Sequence, residues 1–167
     1  GKAITRCVGV GKCRSDEGGT MCPSYMATRE EEDSTRGRAR LLFEMLRGEV
    51  ITKGWRDEHV KDALDLCLAC KGCKTECPVN VDMATYKAEF LSHYYKRRLR
   101  PMPAYSMGLI YWWARLAAPI APVVNFFTRT RPFSTLLKAL GGLAQKRQIP
   151  RFAKPTFTKW FRSRKSP

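Results

Sequence analysis

The chain has 167 residues, of which 44% are hydrophobic and 28% charged, a composition that excludes a wholly disordered protein. Its formal net charge of +16 suggests at first a nucleic-acid binder. The charge is unevenly placed, however. Residues 1–89 hold all 15 acidic residues and 15 of the 31 Lys and Arg, which leaves 16 basic residues for the rest of the chain. All seven cysteines also precede residue 90. The sequence therefore divides into a neutral cysteine-bearing domain, residues 1–98, and a basic tail, residues 99–167.

The cysteine count indicates a reducing compartment. Seven is an odd number, and no secretory signal is present, which argues against a disulfide framework. The chain begins at Gly1 without an initiator Met, so we expect a segment of a larger cytoplasmic protein. Thiols crowded at short spacings in such a compartment usually hold metal.

Helices are predicted for the cysteine half and none of its segments alternates like a strand, so the predicted fold class is all-α. Residues 1–27 are glycine-rich and are predicted as loop, as are residues 67–77. Ser34 or Thr35 is predicted to cap the first helix, and the acidic run before it is interpreted as solvated. The predicted helices cover residues 35–47, 56–66 and 82–99. The tail is divided by prolines into short, partly helical pieces.

The second cysteine group has the spacing C-x2-C-x2-C-x3-C-P, from Cys67 through Cys70, Cys73 and Cys77 to Pro78. Bacterial ferredoxins use this spacing to bind a cubane iron–sulfur cluster. Thiols two residues apart let one turn of chain contact three corners of a cube. Structural zinc sites usually pair two C-x2-C units across a long spacer, so zinc is kept as the alternative.

The first cysteine group repeats this layout with one ligand missing. Cys7 and Cys13 occupy the first and third places, Val10 stands at the second, and Cys22 before Pro23 takes the fourth. In two-cluster ferredoxins the fourth cysteine of each run ligates the other cluster. By that rule one cluster is bound by Cys22, Cys67, Cys70 and Cys73. The other is bound by Cys7, Cys13 and Cys77, with an open corner at Val10.

The C-x5-C pattern with a distant C-P resembles the three-iron motif of succinate dehydrogenase and fumarate reductase iron–sulfur subunits. The stretches RCVGVGKCR, GGTMCPSYMATREEEDSTRGRARLLFEML and LDLCLACKGCKTECPVNVDMATYKAEFL resemble the iron–sulfur segment of large bacterial FAD-linked oxidases, which include D-lactate and D-2-hydroxyglutarate dehydrogenases. The resemblance implies a helical ferredoxin-like core that relays electrons from a reduced flavin to an acceptor. It also implies FAD on a partner dehydrogenase domain, and often a cysteine-rich domain beside it.

The expected cofactors are one [4Fe-4S] cluster and a second cluster of the [3Fe-4S] or [4Fe-4S] type. We favour three iron atoms for the second, on the expectation that Val10 excludes water from the open corner. No flavin-binding motif, acid–base pair or activated nucleophile is present, so no catalytic residue is predicted and the chain alone is expected to be inactive.

The tail, residues 99–167, allows three further interpretations. The aromatic residues between the tail's basic residues could stack on single-stranded nucleic acid, but no nucleic-acid-binding fold surrounds them. Residues 102–128 are apolar, yet Arg115, Pro119 and Pro122 disfavour a membrane span, and peripheral membrane contact through Trp112 and Trp113 is the milder alternative. The tail is most simply a segment that docks on a neighbouring domain.

Overall fold

The computed structural model describes residues 4–16 and 18–164, which form helices and connecting loops with no β-strand. The predicted all-α class is therefore confirmed. The chain forms two compact units, Gly1–Arg98 and Leu99–Pro167. Unit 1 contains α1 (Pro23–Thr28), α2 (Thr35–Arg47), α3 (Glu58–Asp65), α4 (Gly72–Glu76) and α5 (Met83–Tyr94). Unit 2 contains α6 (Met102–Ser106), α7 (Ile110–Ala117), α8 (Ala121–Arg129), α9 (Phe133–Leu140) and α10 (Phe157–Ser163).

Helix α2 has the predicted bounds. Ser34 is its N-cap, and the Ser34 hydroxyl accepts a hydrogen bond from the Gly37 N–H. Gly48 ends the helix in the left-handed region with φ 74°, which glycine adopts without steric cost. Both ends are thus specified by local sequence.

The other two predicted helices are shorter than expected. Helix α3 begins at Glu58 because Asp57 is its N-cap and accepts from the Val60 N–H. Helix α5 ends at Tyr94, and Arg97 beyond it has φ 64°, so the chain has left the helical conformation. The predicted loops also contain two short helices, α1 and α4, each of which starts at or next to a cysteine.

The core of unit 1 lies among α2, α3 and α5. Its fully buried apolar side chains include Leu42, Val60, Leu64, Met83 and Phe90. The apolar side chain of Leu46 on α2 lies outside this core and is exposed. Burial of each such side chain contributes about 1.5–3 kcal/mol, so the core holds the cysteine loops at its edge on a stable support.

A buried ion pair lies beside this core. The guanidinium of Arg38 donates to the Asp33 carboxylate at 3.1 Å, to the Asp33 carbonyl, and to the Ala63 carbonyl at 2.6 Å. Both side chains are almost completely buried. The interpretation of the acidic run as solvated is therefore wrong for Asp33, whose carboxylate is needed inside to neutralise the Arg38 cation.

The substitution Asp33→Asn is expected to lower the free energy of unfolding of the chain by about 3–5 kcal/mol, because it leaves a buried guanidinium without a counter-charge. Urea denaturation followed by circular dichroism measures the change. Asp62→Asn is the matched control, since the Asp62 side chain is exposed, and its effect should stay within about 0.5 kcal/mol. Equal effects of the two substitutions would contradict the assignment.

Unit 2 has very little interior of its own. Among its described residues only Ala117, Ala121 and Ser134 are buried. The side chains of Trp112, Phe126 and Phe157 are more than half exposed. A paired hydrogen bond between Asn125 and the Phe152 backbone, 2.9 Å each way, connects α8 to the segment before α10. In the described part of the chain, no helix is long and apolar enough to cross a membrane.

Candidate metal centres

Two cavities in unit 1 are each lined by at least three cysteines. The first, here the four-cysteine cavity, is lined by Cys22, Cys67, Cys70 and Cys73. The second, here the three-cysteine cavity, is lined by Cys7, Cys13 and Cys77, together with Val10. Their volumes are similar, about 320 and 360 Å³ when the solvent-open space at their mouths is included. Cys22 thus lines the cavity of the second run and Cys77 that of the first, while ligation of clusters by these two sets stays a prediction.

The chain around the four-cysteine cavity is wound in an unusual conformation. The backbone is left-handed at three residues of this cavity, a conformation that residues other than glycine rarely adopt. The φ angles are 56° at Cys22, 52° at Ala69 and 62° at Lys71. Such strain costs on the order of 1–3 kcal/mol at each residue and concentrates at functional sites. Ala69 and Lys71 flank Cys70, so the chain bends on both sides of this cysteine.

Hydrogen bonds already point at two of these sulfur atoms. The Thr35 backbone N–H donates to the Cys22 Sγ at 3.0 Å, and the Thr35 Oγ1 lies 2.7 Å from the same sulfur. The Met83 N–H donates to the Cys73 Sγ at 3.4 Å. Donors of this kind stabilise the negative charge of a ligating thiolate.

The three-cysteine cavity is formed by a glycine-containing loop. Gly9 and Gly11 have φ of 77° and 79° and let the chain wrap between Cys7 and Cys13. Cys13 is buried in the middle of a 3-10 turn, Lys12–Arg14, whereas Cys7 is exposed. Cys77 reaches the same cavity from the C-terminal end of α4.

Val10 is expected to exclude water from the open corner, and the structure does not give it this role. It lines the three-cysteine cavity at the place of the missing ligand, but it is 65% exposed. The expectation that Val10 excludes water from this corner is therefore wrong, because the loop carries it at the rim of the cavity. The described lining residues include no carboxylate, imidazole or fourth thiol.

Basic side chains line both cavities, and Arg36, Arg38 and Lys71 among them are each paired with a nearby carboxylate. Arg38 and Lys71 line the four-cysteine cavity, Lys12 and Arg36 line the three-cysteine cavity, and no acidic residue is among the described lining of either. Burial raises the pKa of the Cys13, Cys22 and Cys73 thiols, and for Cys22 the hydrogen bonds from Thr35 oppose that effect. A bound metal ion compensates for such a cost because it holds the sulfur as thiolate.

A carboxylate joins the two cysteine runs. Glu76, the residue before Cys77, accepts from the Thr20 N–H at 2.8 Å, the Thr20 hydroxyl at 2.6 Å and the Met21 N–H at 3.1 Å. The Thr20 hydroxyl bond is the largest cause of the lowered pKa of Glu76. The segment before Cys22 and the segment before Cys77 are therefore fixed to each other, which fits a site whose ligands cross between runs.

These residues fit iron–sulfur clusters: soft thiolate donors in two sets, basic walls and backbone donors aimed at sulfur. No group of three His, Cys, Asp or Glu side chains in the described part of the chain converges on a single metal ion. His59 lies outside both linings and faces Glu32 at 3.9 Å. The class defined by the fold and the site is a helical two-cluster iron–sulfur electron-transfer domain.

Residues 3–81 match the family described as a 4Fe-4S dicluster domain. The chain is 31% identical to a D-2-hydroxyglutarate dehydrogenase of Pantoea ananatis over 80% of this chain and 16% of the relative. It is 28% identical to the enzyme of that name from Haemophilus influenzae over 93% of this chain and 18% of the relative. The glycolate oxidase iron-sulfur subunit of Escherichia coli is 35% identical over 47% of this chain and 17% of the subunit.

The chain thus spans less than a fifth of the length of these relatives. No solved structure gave a significant match. The resemblance to the iron–sulfur segment of large oxidoreductases, inferred from the motifs, is confirmed by these comparisons.

The supporting residues were harder to find than the cysteines. Arg38 and Glu76 look like ordinary helix surface charges in the sequence, and only the fold shows one buried and the other bound to Thr20. Thr35 was recognised only as a candidate cap. Its contact with Cys22, thirteen residues earlier, is seen only in the fold.

Proposed function

We propose that the chain binds one [4Fe-4S] cluster in the four-cysteine cavity and a second cluster in the three-cysteine cavity, and relays electrons from a reduced flavin to an acceptor. The observation that supports this most strongly is the sorting of seven thiols into two cavities on one small helical core. When bound, each cluster takes up and releases one electron at a time. The residues of this chain supply the thiolates, the basic walls and the hydrogen bonds to sulfur.

We also propose that the flavin belongs to a dehydrogenase domain that oxidises a D-2-hydroxy acid such as D-2-hydroxyglutarate or D-lactate. The relatives named D-2-hydroxyglutarate dehydrogenase support this substrate class, and their greater length leaves room for such a domain. In this division of labour, the substrate is oxidised on the dehydrogenase domain, and this chain carries electrons only.

The proposed function is tested with the chain after anaerobic reconstitution. Photochemically reduced FMN should bleach the visible absorbance of the clusters, and the reduced chain should then reduce a dye. D-2-hydroxyglutarate or D-lactate added without a flavoprotein should give no turnover. The variant with Cys13→Ala and Cys70→Ala together is the control for electron transfer without clusters. Turnover of either acid by the chain alone would refute the division of labour, and failure of reduced FMN to bleach the clusters would refute the flavin as donor.

The tail is proposed to dock on that dehydrogenase domain. Unit 2 buries almost nothing of its own, and Trp112, Trp113 and Trp160 are 58%, 46% and 46% exposed. From residue 99 onward the chain has 13 basic residues and no acidic one. An apolar face with a basic rim is complementary to an apolar patch bordered by carboxylates. The match to the Haemophilus enzyme covers 93% of the chain and so includes part of the tail, which places this segment within a larger polypeptide in that relative.

Removal of residues 99–167 is expected to leave both clusters in place, because every lining residue of the two cavities lies between Cys7 and Ala84. Binding of a hydrophobic dye should fall at the same time, since the exposed aromatic residues of unit 2 are lost. Iron content and dye fluorescence measure the two effects.

Trp112→Ala with Trp113→Ala in the full chain should lower the fluorescence, whereas Val50→Ala, which changes an exposed apolar residue of unit 1, should not. A truncated chain without iron would show that the tail is part of the cluster-binding core.

A further inference from the structure

Thr35 lies on the wall between the two cavities. Among the described residues it alone lines both the four-cysteine and the three-cysteine cavity. It is buried at the first position of α2, where the Ser34 cap and the buried Arg38 fix the helix in place. Its position is therefore determined by the core and not by a mobile surface.

Thr35 forms hydrogen bonds to a cysteine of the four-cysteine set, and none to the three-cysteine set is found among the described residues. Its Oγ1 is 2.7 Å from the Cys22 Sγ, and the Thr35 N–H donates to the same atom at 3.0 Å. A cysteine that ligates iron is deprotonated and can only accept, so the hydroxyl must then be the donor. Two donors from one residue thus converge on one ligand sulfur of the four-cysteine set.

We propose that Thr35 is a positioning residue that sets the reduction potential of the cluster in the four-cysteine cavity through its hydroxyl bond to the Cys22 sulfur. Reduction adds negative charge to the cluster, and a hydrogen bond to a ligand sulfur stabilises the more negative state. The hydroxyl therefore raises the potential of this cluster and leaves that of the other cluster nearly unchanged. The basic side chain of Arg38 at the same cavity acts in the same direction, partly offset by its ion pair with Asp33.

This inference rests on the proposed ligand sets, and it is tested by dithionite titration of the reconstituted 167-residue chain, followed by EPR. In Thr35→Val the signal of the four-cysteine cluster should appear only at a more negative potential, because the isosteric side chain keeps the backbone bond and loses the hydroxyl. Thr35→Ser keeps a hydroxyl and should titrate like the parent. The cluster of the three-cysteine cavity in the same sample is the internal control.

Two additional variants keep the test decisive. Thr75→Val removes a hydroxyl that donates to the Gly72 carbonyl within α4, near the same cysteines but not bonded to sulfur, and should cause no shift. If Thr35→Val does not bind its clusters, Thr35→Ala is compared with Thr35→Ser, and only the alanine variant should shift. Equal potentials in the parent and in the variants without the hydroxyl would overturn the inference. If the parent chain has no cluster at Cys22, the proposed ligand sets are wrong. Iron analysis of Cys22→Ala separates this failure of the ligand sets from failure of the Thr35 inference.

Discussion

Val10→Cys is expected to convert the second cluster into one held by four thiolates. In the parent chain only Cys7, Cys13 and Cys77 line the cavity as thiols, and the exposed Val10 rim lets water reach the fourth corner. An iron atom there would be held by sulfides and water alone, so we propose that the oxidised chain has lost it and binds a [3Fe-4S] cluster. A cysteine at position 10 restores the C-x2-C-x2-C spacing and retains that iron.

EPR of the oxidised protein measures this change. A three-iron centre is paramagnetic when oxidised, whereas the oxidised four-iron centre is silent, so the signal should be strong in the parent and absent in Val10→Cys. Val8→Cys is the matched control, because it adds a thiol to the same loop two residues out of register and should leave the signal. An oxidised parent with no EPR signal and two full four-iron clusters would show that the open corner has a ligand other than cysteine.

The second large effect is expected from the two cysteines that cross between runs. Cys22→Ala should abolish the same EPR signal as Cys70→Ala, the one that appears on reduction of the four-iron cluster. Cys77→Ala should abolish the three-iron signal, as Cys13→Ala does. The physical reason is position: Cys22 lies with Cys67, Cys70 and Cys73, and Cys77 lies with Cys7 and Cys13.

Grouping by sequence order predicts the reverse pattern, so one pair of variants decides between the two. If Cys22→Ala removed the three-iron signal and left the four-iron signal, the crossed ligand sets would be wrong. If either variant loses both signals, circular dichroism distinguishes loss of the clusters from unfolding of the chain. The apolar core formed by α2, α3 and α5 lies beside the cavities and should remain helical when only the clusters are lost.

The sequence was sufficient for the fold class, for α2 and for the cysteine pattern, because each depends on local spacing. Ser34, the apolar face of α2 and Gly48 specify that helix without reference to the rest of the chain. The cysteine spacing likewise reports the shape of the cluster it binds. The ends of α3 and α5 were missed because a capping Asp57 and a left-handed Arg97 override the periodicity.

The remaining features depend on tertiary context. Whether Asp33 and Arg38 are solvated or buried is decided by contacts with Ala63, 25 residues further along the chain from Arg38. The exposure of Val10 depends on how the Gly9 and Gly11 turns orient the loop, which no residue pattern states. The bond from Glu76 to Thr20 joins residues 56 positions apart. The sequence predicts the ligands, and the fold is needed to find the residues that support them.

The most direct test of the central claim is metal and sulfide analysis of the anaerobically reconstituted chain, combined with EPR in both redox states. We expect iron and acid-labile sulfide in comparable amounts, a three-iron signal in the oxidised protein and a four-iron signal after reduction with dithionite. Zinc without sulfide, or a chain that has no EPR signal in either state, would contradict that claim.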